Sequence, residues 1–437
     1  MSTTAPTAGA RSTTGSRGLW VLMITAFVDM LGNLMVLPLI PFYAKDLGAS
    51  AFMVGCIISA FSLAQLLSAP MWGRFSDARG RRPALMIGLG ASAISYGIFA
   101  VVTHLPHALF FLFFLRFVQG AGGGTVGVVQ AYVADSTAPE SRAKALGWIS
   151  SATNAGVALG PVLGSAAAVW RAEGPGILAS GLCLANILFA WLFLRESRDM
   201  AEASAARAAG GARGRSRDAI GRVIQHPRET SSRLIWIYAI CIGAFQGTTG
   251  MLGLYLMKRF GVTKETIGIF FTYNGVLAVL TRTLLLGWMV DRYGEVRLSR
   301  IGQVMLMTGV GALAFIHPMG DPAALLARYG NTLPHALIVL IPYVPLAMAV
   351  TLFPLGTAFT FPCVTSLLSR VVTSRERGLY MGVQQTFGGA MRVALPIVYG
   401  ALFDIAVPIP FLLAATLVAF TIWLGLGLDR AAVPAHA

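Results

Sequence analysis

The sequence predicts an all-α membrane protein with twelve transmembrane helices in two pseudo-symmetric six-helix bundles. Three observations lead to this prediction: few charged residues, a series of long apolar segments, and a repeat that relates the two halves of the chain. Of the 437 residues, 56% are hydrophobic and only 12% are charged, whereas soluble proteins average about 25% charged residues. So few charges cannot cover a water-facing surface, and the chain length instead fits a dozen spans of about 20 residues each.

Twelve apolar segments are long enough to cross a bilayer. Backbone amides in lipid must pair within their own segment, so segments of this length and composition should be helical. In chain order, the predicted spans are residues 19–43, 52–72, 84–104, 108–134, 144–169, 176–194, 234–257, 266–288, 298–316, 344–369, 377–400 and 409–428.

The distribution of basic residues predicts how the chain is oriented. With both termini in the cytoplasm, 24 of the 33 Lys and Arg residues lie on the cytoplasmic side, six on the outer side and three inside spans. This asymmetry follows the rule that basic loops remain cytoplasmic. It explains the formal net charge of +15 without nucleic acid as a partner. We therefore expect a multi-pass protein of the cell (inner) membrane with both termini cytoplasmic.

An arginine-rich segment divides the chain near its middle. Residues 195–232 are too polar to span a bilayer, so we expect a cytoplasmic linker with an amphipathic part near 218–224. Six predicted spans lie on either side of it. The predicted domains are a disordered cytoplasmic tail at 1–18, an N-terminal six-helix bundle at 19–194, the linker at 195–232, a C-terminal six-helix bundle at 233–428 and a cytoplasmic tail at 429–437.

The two halves of the chain repeat each other. Three positions after the second span match three after the eighth at a constant offset of 214: Gly73, Asp77 and Gly80 match Gly287, Asp291 and Gly294. Three more match at an offset of 235: Arg142, Gly147 and Pro161 match Arg377, Gly382 and Pro396. The change in offset predicts an insertion, which the polar stretch 317–342 supplies as an enlarged outer loop. Two similar halves suit a transporter that opens one site to either side in turn.

The loop after the second span carries a specific motif. It reads Gly73-Arg-Phe-Ser-Asp77-Ala-Arg-Gly80-Arg81-Arg-Pro. Its glycines permit close packing and a tight turn, and Asp77 can face a helix N-terminus. The loop resembles the signature of the major facilitator superfamily, and the resemblance covers the chain from the first span to the twelfth. It implies a conformational gate, in which Asp77 faces the eleventh span in the outward-open state and Arg81 pairs with Asp135.

A degraded copy of this motif follows the eighth span. It keeps Gly287 and Asp291, and the resemblance extends the conformational gate to both residues. The position that matches Arg81 is Glu295, an acid in place of a base. This departure argues against an equivalent ion pair in the second half.

Asp29 is, by the predicted map, the only one of the 18 acidic residues near the middle of a span. A charge at this depth is costly, and desolvation favours the neutral carboxyl, so the group can exchange protons. Asp29 and the pair Pro38 and Pro41 resemble the first span of the drug:proton antiporters, especially the tetracycline exporters. In the fourth span, Arg116 followed by Gln119 matches a family signature. The resemblance assigns proton coupling to Asp29 and Arg116.

The fifth span contains a glycine-rich face with a proline. Its members are Gly156, Gly160, Pro161 and Gly164. This pattern resembles the signature that marks exporters within the superfamily. Pro161 should bend the helix, and the resemblance implies that the glycine face packs closely against the eighth span in the other half.

Polar side chains from several spans are expected to line a substrate cavity. They are Gln119, Gln246, Asn274, Gln384, Gln385 and Arg392. The tetracycline exporters carry further membrane acids in the third and ninth spans, where this chain has Ser95 and no acid. Three intramembrane arginines (Arg116, Arg282 and Arg392) therefore stand against one aspartate. This balance favours a neutral, zwitterionic or anionic solute over a tetracycline–metal complex.

The leading functional hypothesis is a monomeric, proton-coupled exporter of a small organic solute or drug. Proton symport and facilitated diffusion by the same fold remain open alternatives. A non-transporting receptor or scaffold is a further alternative, although it has no need of Asp29 and Arg116 within the bilayer. The sequence has no nucleotide-binding loop, zinc-protease motif or prenyltransferase motif, and its four cysteines lack metal-ligand spacing. We therefore expect no enzymatic activity, cofactor or bound metal.

Overall fold

The computed structural model describes residues 12–197, 213–318, 343–374 and 376–428, and in these ranges the regular structure is helical throughout. The predicted termini and the predicted outer loop at 317–342 lie largely outside the described residues. The helices are α1 (Ser12–Val36), α2 (Ile40–Asp46), α3 (Ala51–Arg79), α4 (Arg81–Val101), α5 (Ala108–Gly123), α6 (Val126–Ser136), α7 (Pro139–Trp170), α8 (Gly174–Phe193), α9 (Arg213–Gln225), α10 (Thr230–Phe260), α11 (Ile267–Leu280), α12 (Leu286–Tyr293), α13 (Glu295–Leu313), α14 (Val344–Val371), α15 (Arg377–Ile405) and α16 (Ile409–Leu424).

Each of the twelve predicted spans corresponds to a helix or an interrupted helix. Among the described residues, ten helical segments are long and apolar enough to cross a membrane. The other two are α13, which carries three charged residues in its first two turns, and α16. With 16 residues, α16 is about 24 Å long at 1.5 Å per residue. The predicted all-α membrane architecture is confirmed, and the linker contains the additional helix α9.

Three predicted spans are interrupted in the structure. The 3₁₀ turn Leu37–Leu39 separates α1 from α2, because Pro38 cannot donate a helical hydrogen bond. The helix of the fourth span breaks after Gly123, within a run of glycines whose flexibility weakens a helix. A π-helical turn at Thr281–Leu285 separates α11 from α12. Such turns occur frequently at functional sites, and the apolar pattern of the eighth span gives no signal for this one.

The described residues form two compact units. The first unit consists of the described residues within Met1–Leu37 and Ala64–Gly210. The second unit consists of the described residues within Pro38–Leu63 and Gly211–Ala437. Residues 38–63, which the sequence assigns to the N-terminal bundle, therefore make their main contacts within the second unit. The division of the chain into two homologous halves at the linker remains a prediction.

The glycine face of α7 packs on α1 within the first unit. A Cβ at each of three glycines would lie closer than 3.0 Å to a backbone oxygen of α1: Gly156 to Phe27, Gly160 to Leu31 and Gly164 to Met35. Both sets are spaced by four residues, so two parallel ridges face each other. The close approach agrees with the predicted small-residue face. The prediction that this face packs against the eighth span is wrong for these three positions, because their nearest neighbours belong to α1.

A carboxylate from α15 caps the start of α3 within the second unit. The two carboxylate oxygens of Asp404 accept hydrogen bonds from the backbone N–H groups of Ala51 and Phe52, both at 2.9 Å. These are two of the amides that an α-helix leaves unpaired at its start, and a negative charge is favourable there. Gly55 and Gly400 lie along the same contact, where a Cβ at either would collide with the facing backbone. This packing explains why residues 38–63 belong to the second unit.

Candidate functional site

A buried guanidinium lies at the centre of a polar cluster in the first unit. The Arg116 side chain, on a residue only 2% exposed, donates from Nη1 to Gln119 Oε1 at 2.5 Å and to Asn33 Oδ1 at 3.4 Å. Gln119 Nε2 in turn donates to Tyr96 Oη at 2.7 Å. These bonds hold the charge of Arg116 in a fixed position between α1, α4 and α5, as a charged side chain in a membrane requires.

Asp29 lies one helical turn from this cluster. It precedes Asn33 by four residues, so both side chains lie on the same face of α1. Asp29 is half-buried, and Ser92 Oγ donates to its Oδ1 at 3.3 Å. Gly32 lets Tyr96 approach α1, because a Cβ there would lie 2.9 Å from the Tyr96 ring. The structure therefore places predicted residues Asp29, Arg116 and Gln119 together.

Sequence reasoning missed two members of this region and pointed to a different serine. Asn33 carries no signal beyond its spacing from Asp29, and that spacing could have identified it. Ser92 faces Asp29, whereas Ser95, which occupies the place of an acid in the tetracycline exporters, donates to Ala91 O of its own helix at 2.7 Å. A polar side chain from α4 thus meets Asp29 one turn earlier than the resemblance indicated.

A second polar cluster belongs to the second unit and is centred on Tyr238 of α10. Its phenol oxygen accepts hydrogen bonds from Gln385 Nε2 at 3.3 Å and from Arg392 Nη2 at 3.4 Å. Gln385 and Arg392 are seven residues apart on α15, so both face α10. The Phe361 ring packs edge-on against Tyr238 with a centroid distance of 5.6 Å, and Phe245 packs against Phe361 at 6.4 Å. Tyr238 was not predicted, because a tyrosine in an apolar segment carries no distinguishing pattern.

The other predicted cavity residues of the second unit are not part of this cluster. Asn274 Nδ2 donates to Phe270 O of its own helix at 2.9 Å, and Gln246 is half-buried on α10. Gln384 has no exposed surface in this structure. Among the described residues, none of the three hydrogen-bonds to Tyr238, Gln385 or Arg392. Gln385, rather than its neighbour Gln384, faces Tyr238, and the place of Gln384 in a substrate cavity stays a prediction.

The predicted charge group after the second span is assembled around Arg81. Its Nη1 contacts Asp77 Oδ1 at 2.8 Å, and its Nε contacts Asp135 Oδ2 at 3.0 Å. The Arg81 side chain is only 9% exposed, so water screens its contacts less than those of a surface pair. Gly73, by contrast, lies inside α3 with nothing within 4 Å of its Cβ position. The expectation of close packing or a turn at Gly73 is therefore not met within this structure.

Glu196 completes this group, and no sequence pattern predicts its role. Its carboxylate accepts from the backbone N–H groups of Arg81 and Arg82 at 2.8 and 3.0 Å, and so caps α4. Gly80 has a φ of +102°, and a Cβ there would collide with Glu196. The turn thus requires glycine for its backbone angle and for the space that Glu196 fills.

The second half carries the corresponding ion pair with its charges reversed. Glu295 Oε1 accepts from Arg370 Nη2 at 2.9 Å and from Ser366 Oγ at 2.7 Å. Glu295 lies 214 positions after Arg81, and Arg370 lies 235 positions after Asp135, so both repeat offsets lead to this pair. The expectation that no equivalent pair exists is wrong, because both partners have changed sign together. Gly287 and Asp291 lie on α12, and both are exposed.

The helical membrane architecture and the charged groups inside the spans are typical of a membrane transporter. The chain matches the family model of the Major Facilitator Superfamily over residues 22–341, and it belongs to this superfamily. It is therefore a multi-pass membrane transporter of small solutes and not an enzyme.

Comparisons with known proteins refine this assignment. Multidrug resistance protein 2 of Bacillus subtilis (strain 168) is 27% identical over 410 residues, which cover 93% of each chain. The class B tetracycline resistance protein of Escherichia coli is 22% identical over 394 residues, 89% of each chain. A crystal structure of the human organic anion transporter MFSD10 (TETRAN) matches with a TM-score of 0.63 and 22% identity. It covers 94% of this chain and 99% of that chain, and it supports the fold.

Proposed function

We propose that the protein is a proton-coupled exporter that exchanges protons for a small organic solute or drug by alternating access. The observation that carries this proposal is the position of Asp29 beside the network of Arg116. Placing a carboxyl group and a guanidinium inside membrane spans costs free energy, and such groups mark solute or proton pathways. The names of the relatives, which refer to resistance to multiple drugs and to tetracycline, support export as the direction of transport.

The chemistry of Asp29 suits a proton carrier. In its ionised form, the carboxylate accepts a hydrogen bond from the Ser92 hydroxyl. In its protonated form, the carboxyl group becomes a donor, so its local bonds must change with its charge. Asn33 lies one turn further along α1 and joins this face to Arg116. A rearrangement of α1 that moves Asp29 relative to Arg116 would therefore alter the free energy of protonation.

The charged group around Arg81 is proposed as the conformational gate of the first half. Arg81, Asp77 and Asp135 lie where helices α3, α4 and α6 begin or end. Ion pairs at such positions change partners when helices move, so they bias one conformation over another. We further propose that the protein works as a monomer in the cell inner membrane, with both termini cytoplasmic.

Transport into proteoliposomes tests the proposed function. The purified protein is reconstituted, a pH gradient is imposed, and a matched panel is offered: 1-naphthoate, 1-naphthamide, 1-naphthylmethylamine and tryptophan. We expect at least one probe to accumulate above its equilibrium level when the interior is acidic, because protons that leave drive solute inward. The accumulation should collapse when nigericin removes the gradient. Uptake that only equilibrates under every gradient would contradict proton coupling, and empty vesicles provide the control.

A further inference from the structure

We infer that Tyr238, Gln385 and Arg392 form the recognition site for an organic anion, a carboxylate carried on an aromatic body. The inference deepens the proposed function and rests on it, since this solute would be the one that the exporter carries. It is drawn from the second unit alone, in which these side chains meet between α10 and α15.

The first argument is the charge of Arg392. It lies in the middle of α15, fifteen residues after Arg377 where the helix begins, and it is half-buried. Its hydrogen bond goes to the neutral phenol of Tyr238 at 3.4 Å. In the described part of the chain, no carboxylate lies within the 4.0 Å of an ion pair with it. A guanidinium at this depth gains most from an anion that completes the pair.

The second argument is the geometry around the phenol oxygen. Tyr238 Oη accepts from both Arg392 and Gln385, so its acceptor capacity is used and its own proton is left to donate. The acceptor available to that proton within the cluster is Gln385 Oε1, at a distance of 3.5 Å. A carboxylate accepts a stronger and shorter hydrogen bond than an amide oxygen does. The cluster can therefore offer an anion the fork of a guanidinium and the hydroxyl of a phenol together.

The third argument is the aromatic wall beside these donors. Phe361 packs edge-on against Tyr238, with an angle of 65° between the rings, and Phe245 extends the wall. Gly388 of α15 brings the two helices together here, because a Cβ would lie 2.8 Å from the Tyr238 ring. The ring is thereby fixed in position before a ligand arrives, which lowers the cost of binding. Aromatic surfaces next to a cation fit a flat aromatic acid better than an aliphatic one.

Arg116 is not arranged to bind a solute anion in the same way. Its guanidinium already donates to Gln119 and Asn33, and it is almost fully buried in the first unit. Arg116 and Arg392 thus differ in what surrounds them. Arg116 has neutral acceptors from its own unit, whereas the half-buried Arg392 lies between the exposed Gln385 and the buried phenol of Tyr238. This contrast assigns binding of the solute anion to Arg392 and a role in proton coupling to Arg116.

The test compares two probes of nearly the same shape and different charge. Binding of 1-naphthoate and 1-naphthamide to the purified full-length protein is measured by calorimetry in detergent at neutral pH. We expect the anion to bind at least about tenfold more tightly, because only its carboxylate can form a bidentate ion pair with the guanidinium of Arg392. In Arg392→Gln this preference should disappear, while the affinity for 1-naphthamide should fall less than that for 1-naphthoate, since the glutamine amide can still donate to the carbonyl oxygen of the ligand.

Two further variants keep the test decisive. Tyr238→Phe removes one donor and should reduce the preference by about threefold to tenfold, the value of one typical hydrogen bond. Lys258→Gln removes one positive charge from the exposed end of α10 and should leave the preference unchanged. If Arg392→Gln fails to fold, Tyr238→Phe carries the test. Equal affinities for the two probes, a preference that either Arg392→Gln or Tyr238→Phe leaves unchanged, or no binding of either probe to the folded protein would overturn the inference.

This assay is independent of proton coupling, so the two proposals can fail separately. Binding in detergent needs no gradient, and a correct anion preference would stand even if transport proved facilitative. Conversely, accumulation of 1-naphthamide or 1-naphthylmethylamine above the level of empty vesicles under the same gradient, with none of 1-naphthoate above that level, would overturn the anion site and leave the exporter intact.

Discussion

Asp29→Asn is expected to abolish solute accumulation driven by a pH gradient while leaving solute exchange in place. The amide has the shape of the protonated carboxyl group but cannot release a proton. The variant should therefore still cycle between states with solute bound, yet it should gain nothing from the gradient. Accumulation should fall to the level of empty vesicles, whereas counterflow of labelled against unlabelled solute should stay within about threefold of the wild-type rate, since the neutral form tolerates burial.

The matched control for this experiment is Asp46→Asn. Asp46 is an exposed residue at the end of α2, with Lys264 Nζ at 3.8 Å. Its substitution makes the same chemical change outside the polar cluster, and both activities should survive it. If Asp29→Asn still concentrates solute at the wild-type rate, Asp29 is not the proton carrier. Loss of both accumulation and counterflow would instead assign Asp29 to solute binding.

The reversed ion pair of the second half leads to a prediction with an equally large effect. Glu295→Arg places two positive charges together at Arg370, and Arg370→Glu places two negative charges at Glu295. Each single variant should lose most of its transport, since like charges in contact disfavour the packed helix ends. The double variant Glu295→Arg with Arg370→Glu should recover at least half of the wild-type rate. Because Arg370 is 71% exposed, the coupling free energy in thermal unfolding should be about 1 kcal/mol.

The same exchange in the first half should fail, and this difference makes the experiment informative. Arg81 contacts Asp77 as well as Asp135. Arg81→Glu with Asp135→Arg restores one pair and leaves the new glutamate facing Asp77, so transport should remain low. Equal rescue in both halves would show that the pairs act as isolated contacts. No rescue in the second half would show that Glu295 and Arg370 do not act through their mutual attraction.

The architecture could be predicted from the sequence because lipid imposes a simple rule. Every backbone group in the bilayer must be paired, so apolar length alone locates the spans. The contact of Arg81 with Asp135 was equally accessible, because the resemblance to a specific motif implies it, whereas the contact of Arg81 with Asp77 was not predicted. The pair of Glu295 and Arg370 could have been found from the two repeat offsets. The change of sign at Glu295 alone suggests a lost pair, and only the matching change at Arg370 shows that the pair is kept.

Other features depend on packing that no local pattern encodes. Glu196 caps α4 from 115 positions away, and Asp404 caps α3 from more than 350. In the sequence, nothing distinguishes an acidic residue after a membrane helix from an ordinary loop residue. Its capping role depends on the tertiary structure, which places the start of another helix beside it. Likewise, the glycine face of α7 was evident, but its partner α1 was not. Small residues predict that some helix approaches closely and do not specify which one.

The most direct test of the central claim is the direction in which protons move when solute moves. Vesicles that contain the protein and the internal pH dye pyranine are clamped at zero membrane potential with potassium and valinomycin, with no pH gradient imposed. The solute selected from the panel is then added outside. The proposal predicts that solute entry makes the interior alkaline, because each inward solute is exchanged for an outward proton, and that Asp29→Asn gives no signal. An interior that becomes acidic, or labelled solute that enters with no change in pH, would contradict proton antiport.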